Sequence, residues 1–416
     1  MHFSAGYKVV YYFIVLLAFL LGGTLQFLFG LSNTVLTFLI CALLFSIYIL
    51  YALLKGRIVM TKVVIWGSIY LALIIVMGLV KQLHPVYWIA YSIFPLLPLA
   101  IYLVYFINQK EGYVSFRSMF LLFYSIAVIQ LPVLLIQKNF YNLLIGLNRS
   151  GQKIEWYDFM YGTLFIKSDH SLGILLLLII ATMIFRRDLI RKWIPWVNLS
   201  IIYLGVTLFL TESNISKLVF LIILATVFVV PIYHRYKGTF VFKAAVGFLV
   251  GALIAVGVLM RNSDLVQRKL GGTIERQFSI EQAQRFYDLG TAKRFQVIMV
   301  AVSNMETKWF GDGPYSYFDI RTGEFRQTRH FSQLIWSYYD LGLVGLIVVL
   351  IFIFCLAKQF QIDRGIPFLF LFLIFILYSF YTTILSDVAI LLAAFSLLGK
   401  TPGNFQGEQI ALTKTD

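Results

Sequence analysis

Charge is scarce in this chain. Only 13% of its 416 residues are Asp, Glu, Lys or Arg, against 60% hydrophobic. A soluble domain normally carries about a quarter charged residues, so a water-facing surface of ordinary make-up is excluded. Cysteine is almost missing too. Cys41 and Cys355 both fall in apolar runs, which rules out a disulfide framework or a cysteine metal site and leaves them as small core residues. Apolar–polar alternation is absent from stretches such as "FLFLFLIFILYSF", which excludes the strands of a membrane barrel. There is no D-x-D, the usual divalent-metal handle of nucleotide-sugar transferases, and no H-E-x-x-H, G-x-x-x-x-G-K-[ST] or G-x-S-x-G. Charges inside the apolar runs are very few, which counts against an ion-coupled transporter with a midplane relay. No 20–50-residue repeat or low-complexity tract is visible.

What is present is a series of apolar runs of the length that crosses a hydrocarbon layer about 30 Å thick. Backbone amides in lipid must be satisfied within the segment, so these runs predict helices. Twelve spans are expected, near 9–30, 35–54, 63–80, 86–107, 118–137, 170–185, 194–211, 216–233, 240–260, 331–356, 366–382 and 385–399. The last two could instead form one kinked helix. The run from Val9 to about Gly30 is too long for a signal peptide and lacks a cleavage site, so it reads as a first span. The fold class is therefore an all-α polytopic integral membrane protein.

Lys and Arg in the short loops set orientation. One set of loops carries Lys55, Arg57 and Lys62; Lys110 and Arg117; Arg186, Arg187, Arg191 and Lys192; Arg235, Lys237 and Lys243; Lys358 and Arg364. The alternate loops carry Lys81, Lys217 and little else. Both termini are thus expected in the cytoplasm. Residues 1–260 hold nine spans and an outer loop at 138–169; 261–330 form a large, partly helical outer loop; 331–400 hold the last three spans; 401–416 are a cytoplasmic tail. From Arg261 to Arg329 the outer loop carries eleven Lys and Arg against eight Asp and Glu. A basic surface on that side is poorly placed for nucleic acid.

Within the loop, "TAKRFQVIMVAVSNMETKWFGDGP" has helical spacing: Phe295, Ile298, Met299, Val302, Met305 and Trp309 share a face. "GDGP" breaks the pattern. "IERQFSIEQAQRFYDLG" predicts a second short helix, with Lys269, Arg276 and Arg285 on its polar side. Arg294 opens the longer helix. A cation there meets the positive end of the macrodipole. A bound anion removes that conflict, and arginine grips phosphate bidentately. A merely solvated arginine fits the spacing equally well.

Other polar residues carry the same two readings. His330 follows Arg326 and Arg329 and opens a span, as an interfacial histidine or as a general base. Gly342 and Gly345 most simply allow close helix packing. "LTESNISKL" puts Glu212 and Lys217 at a tight junction between spans, where Lys217 either snorkels or meets a lipid phosphate. "YGTLFIKSDHSLG" puts Lys167, Asp169 and His170 at the outer end of a span, and a helix cap by Ser168 or Asp169 explains only part of that cluster.

Taken together, these segments resemble the bacterial O-antigen polymerase and O-antigen ligase family. The resemblance rests on three motifs in order: "TESNISKL" with Lys217; "AKRFQVIMVAVSNMETKWFGDGP" with Arg294, Gly311 and Gly313; and "HFSQLIWSYYDLGLVG" with His330, Gly342 and Gly345. It covers mainly residues 160 to 350. Lys217 stands where arginine is commoner, and Phe331 where a small polar residue often follows the histidine.

The resemblance implies a glycosyltransferase of the bacterial inner membrane, acting on the outer leaflet. Its donor would be an oligosaccharide on undecaprenyl diphosphate, its acceptor a second lipid-linked repeat. An acceptor hydroxyl would attack the anomeric carbon with inversion, expelling the lipid diphosphate. Lys217 and Arg294 would hold the diphosphate, with Arg285, Arg326 and Arg329 in support. His330 would be the base and Asp169 the reserve, with Lys167, His170 and Glu212 supporting the outer face. No metal or other cofactor is implied. A chain-length regulator and a flippase would be partners. The alternatives are a ligase that transfers glycan to lipid A–core, a peptidoglycan polymerase of related architecture whose acidic loop signature is not seen here, and, from another class, a flippase for lipid-linked sugars.

Overall fold

A computed structural model describes residues 2–56, 58–156, 159–166, 169–211, 213–236, 279–289, 294–303, 305, 307–319, 324–325, 332–360 and 368–399. Helices stand at each expected span except 240–260, which lies outside the described residues. Among the described residues, six are long and apolar enough to cross a membrane. The first runs Phe3–Phe29. It joins α1 (His2–Leu16) to α2 (Gly22–Phe29) through a π-helical turn at Leu17–Leu21. The next are α3 (Asn33–Lys55), α4 (Lys62–Val80), the near-continuous pair α5 (Pro85–Tyr91) and α6 (Ile93–Glu111), and α7 (Phe116–Asn139). The sixth, late in the chain, is α15 (Gln333–Ala357). This is the architecture of a helical membrane protein.

Between these lie α8 (Tyr141–Leu144), α9 (Asp169–Phe185), α10 (Arg187–Arg191), α11 (Val197–Leu210) and α12 (Asn214–Tyr236). The outer loop contributes α13 (Ile280–Asp288), α14 (Arg294–Ser303) and a two-residue antiparallel pair, β1 (Phe318–Asp319) with β2 (Glu324–Phe325). The chain closes with α16 (Phe368–Tyr381) and α17 (Val388–Leu398), which are two separate helices. Every residue of α17 is buried, as is most of α6. A helix that is apolar all round belongs at the centre of a bundle. The two are tied to the first span by Tyr7 Oη donating to the Val104 carbonyl (2.9 Å) and by Tyr11 Oη against Ser396 Oγ (2.7 Å).

Several helices are too short to cross alone. At 1.5 Å per residue, α11 is about 21 Å long and α17 about 16 Å. Irregular backbone buried among such helices needs partners supplied by protein. One such place is the stretch before α9. Part of the expected outer loop 138–169 is not at the surface: Phe159 to Phe165 is largely buried between α2 and α7. Three glutamines stand in for water there. Gln137 accepts from Gly162 N–H (3.0 Å) and donates to its carbonyl (2.8 Å). Gln130 does the same for Thr163 N–H and Oγ1 (3.0 and 2.8 Å), and Gln26 accepts from Ile166 N–H (2.9 Å). Gly23 gives this stretch room, since a Cβ there would collide with the Leu164 carbonyl.

The other place is α15. At Gly342 (φ 66°, ψ −165°) the helix is broken. A break frees backbone donors and acceptors, and the turn at 308–313 pairs with four of them. Leu343 N–H donates to Lys308 O (2.9 Å) and Val344 N–H to Trp309 O (3.1 Å). In return Asp312 N–H donates to Tyr339 O (3.1 Å) and Gly313 N–H to Asp340 O (2.8 Å). Gly311 (φ 72°) and Gly342 face each other, and a Cβ on Gly342 would strike the Trp309 carbonyl.

Two expectations are corrected here. Gly342 does not serve helix-on-helix packing; it is a break against which a loop backbone is laid. The helical spacing also stops at Ser303, so Met305 and Trp309 lie beyond α14, with Met305 buried and Trp309 exposed. The turn at 308–313 cannot continue a helix while its backbone is paired with α15.

Gly342→Ala should therefore cost more than about 1 kcal/mol, from positive φ and backbone overlap together. Gly6→Ala, with nothing within 4 Å of the added methyl, should be neutral. Thermal unfolding in detergent measures both. Equal melting temperatures would show that Gly342 is not strained.

Candidate functional site

Five segments end close together on one face of the bundle: the start of α9, the α11–α12 turn, the end of α16, the turn at Ile384–Asp387 and the start of α15. Polar side chains link them. His170 Nδ1 meets Ser213 Oγ (3.0 Å), Ser213 Oγ meets Ser216 Oγ (2.7 Å), and Ser216 Oγ meets Tyr378 Oη (2.7 Å). Ser171 Oγ donates to Asp387 Oδ2, and Asp387 Oδ1 caps α17 by accepting from Ile390 N–H (2.8 Å). At the start of α15, Ser332 Oγ donates to the Ser379 carbonyl (3.3 Å) and Gln333 N–H to the Thr382 carbonyl (3.2 Å). Gly173 lets α9 approach the serines: a Cβ there would lie 2.8 Å from Ser216 Cβ.

Ser171, Ser213, Ser216 and Tyr378 are all buried, and His170 is half-buried. A buried hydroxyl needs a partner, so four of these groups satisfy one another in a chain. Four helices, α9, α12, α15 and α17, begin at this face and turn the positive ends of their dipoles toward it. Asp387 occupies the end of α17, and Ser213 accepts from the Ser216 N–H (3.4 Å) at the end of α12. Lys217 stands on the first turn of α12 beside Ser216 and is half-buried.

Next to this network lies an open apolar groove of about 520 Å³ between α11 and α12. Ile201, Gly205, Phe209, Leu210, Phe220 and Leu224 line it. Its rim is exposed at Ile202, Val206 and Phe209, so it opens to the outside of the bundle. Leu210, the last residue of α11, lines the groove, and the turn that follows it carries Thr211 and Ser213.

The residues expected from sequence divide into three groups. His170 and the turn bearing Lys217 come together. Arg294 opens α14, which packs against α13 and α15, and its side chain lies outside the described residues. The same holds for the Asp169 side chain at the start of α9. Lys167, Glu212, Arg326, Arg329 and His330 also lie outside them. Ser332, the second residue after His330, sits against α16 within this face. Arg285 is exposed on α13 and joins none of the contacts above.

Sequence reading did not single out Ser171, Ser213, Ser216, Tyr378 or Asp387. The serines lie in the quoted segments, one to four residues from the charges that drew notice. Asp387 had a usable signal, as a carboxylate between two apolar runs with no basic neighbour. No family model matches the chain, and no curated protein matches it.

If Ser216 and Tyr378 hold each other, Ser216→Ala and Tyr378→Phe should each cost about 1 kcal/mol. The double variant should cost clearly less than their sum, by a coupling of about 0.5–1 kcal/mol. Thermal unfolding of the four proteins measures this. Strict additivity would break the proposed chain of hydroxyls.

Proposed function

We propose that this chain is a membrane glycosyltransferase that joins oligosaccharide repeats carried on a polyprenyl diphosphate. The observation that carries the reading is one juxtaposition. An apolar groove lies between α11 and α12, and the turn that joins these two helices carries Ser213 of the His170 network and leads into Lys217. A diphosphate-linked isoprenoid has that same division, a long greasy tail and a dianionic head.

The twelve-span topology, with both termini cytoplasmic and the site on the outer leaflet of a bacterial inner membrane, is part of this proposal. So are the placements of Arg294 and His330 over the network. In the reaction, an acceptor hydroxyl attacks the anomeric carbon of the donor. The new glycosidic C–O bond forms on the face opposite the breaking C–O bond, and the configuration inverts. The electron pair leaves with the lipid diphosphate. The proton of the acceptor hydroxyl passes to a base, assigned to His330, with Asp169 in reserve. Charge builds on the diphosphate, so preorganised cations at its oxygens lower the barrier. Lys217 and Arg294 take that role, and Arg285, Arg326 and Arg329 are available to support it. The converging helix N-termini favour an anion at the same place.

The broken helix α15 favours a second reading of another class. Discontinuous membrane helices mark many transporters of small solutes. A flippase for lipid-linked sugars would move the donor without lengthening its glycan.

Reconstitution into liposomes with a defined diphospholipid-linked repeat separates these readings. A ladder of lengthened glycans formed without core lipid supports a polymerase. A single transfer that needs core lipid means a ligase. Donor movement with no new glycosidic bond means a flippase. The ladder should persist with EDTA. Lys217→Ala and Arg294→Ala should each lower its rate by about 100-fold or more. Lys217→Arg should retain most of the rate. Full activity in both alanine variants would remove the assigned diphosphate clamp.

A further inference from the structure

We infer that Asp340, a carboxylate inside a membrane span, is a positioning residue that anchors the outer-loop turn to the broken helix and so places the groups on either side of that turn. The sequence alone did not single it out. In the structure it is completely buried. An intramembrane acid is costly unless it is paired, and it then marks a working part of the molecule. Asp340 forms no ion pair among the described residues.

Three of its partners are in the loop, and the Trp336 side chain on α15 lies beside it. Oδ2 accepts from Tyr315 N–H (2.9 Å), and Oδ1 from Ser316 Oγ (2.8 Å) and Tyr317 N–H (2.8 Å). Its own carbonyl accepts from Gly313 N–H. One residue therefore receives four bonds from five consecutive loop positions.

The turn needs that hold. Tyr315 sits at φ 61°, a left-handed conformation that a non-glycine residue adopts only when its surroundings over-determine it. Its ring packs among Tyr87, Tyr91 and Trp336, with centroids 5.4–6.2 Å apart. Burial first, and then the Asp340 charge, push its hydroxyl above the ordinary tyrosine range, so it stays a neutral phenol. A strained, fully bonded turn is rigid. α14 with Arg294 precedes it by five residues, and the segment to His330 follows it. What the anchor places rests on the function proposed above; the anchor itself does not.

The test uses the full chain in lipid nanodiscs, with hydrogen exchange of residues 308–319 and turnover of a diphospholipid-linked repeat read side by side. Asp340→Ala should raise exchange of the turn by about 10- to 100-fold and lower turnover with it. Asp340→Asn keeps the shape and one acceptor oxygen but turns an amide toward Tyr315 N–H. It should show a smaller rise, and it serves if the alanine variant does not fold. Ser316→Cys combined with Asp340→Cys replaces a side-chain contact by a disulfide. Oxidation should restore both protection and turnover, and reduction should abolish both. Unchanged exchange in Asp340→Ala or Asp340→Asn would overturn the anchor. Protection restored without turnover would show that the carboxylate itself takes part in the chemistry, and would overturn the positioning role. If the unaltered protein makes no glycan product, the glycosyltransferase reading fails, and the exchange measurements alone decide the anchor.

Discussion

A helix broken inside hydrocarbon exposes backbone amides and carbonyls that lipid cannot satisfy, each at a cost of several kcal/mol. The turn at 308–313 supports the break at Gly342 by pairing with two amides and two carbonyls beside it. The dependence runs both ways. Without the turn, α15 has a hole in its backbone ladder; without the break, the turn has nowhere to put its own polar groups. Among the described residues, this part of the outer loop is fastened to the bundle by these backbone pairs and by the Asp340 carboxylate.

The same rule governs the other irregular segment. The stretch from Phe159 to Ile166 enters the bundle because Gln26, Gln130 and Gln137 offer amides where water is missing. On one face of the otherwise apolar body, serine hydroxyls, a tyrosine and a carboxylate bond to one another or to a helix end, and four helices begin there. In the proposed function the anionic headgroup would sit at these helix starts, with its tail in the groove between α11 and α12.

The sequence was legible wherever composition alone decides structure. Apolar runs of membrane length became helices, with bounds within a few residues, because lipid leaves no alternative. The short helix at Ile280–Asp288 was readable from its amphipathic spacing. What could not be read was long-range pairing. Gly342 followed by Gly345 looks like a packing motif; only the partner turn, some thirty residues earlier, makes it a break. Gln130 and Gln137 look like polar blemishes on α7 until the buried stretch is known. Asp340 and Asp387 stand alone in the sequence, and their meaning comes from the loop amides and the helix end that they cap. Of the expected site, His170 and the turn of Lys217 were found together, while His330 and its neighbouring arginines lie outside the described residues.

The central claim is that one lipid-open groove leads to one polar face that holds a diphosphate. It is tested most directly by photocrosslinking the full chain in nanodiscs to a diphosphate-linked isoprenoid glycan bearing a diazirine on its first isoprene units. Mass spectrometry then maps the adducts. The account predicts adducts on Ile201, Phe209 and Phe220, displaced by unlabelled donor. Adducts spread evenly over lipid-facing helices such as α3 and α4, and not displaced by donor, would contradict it.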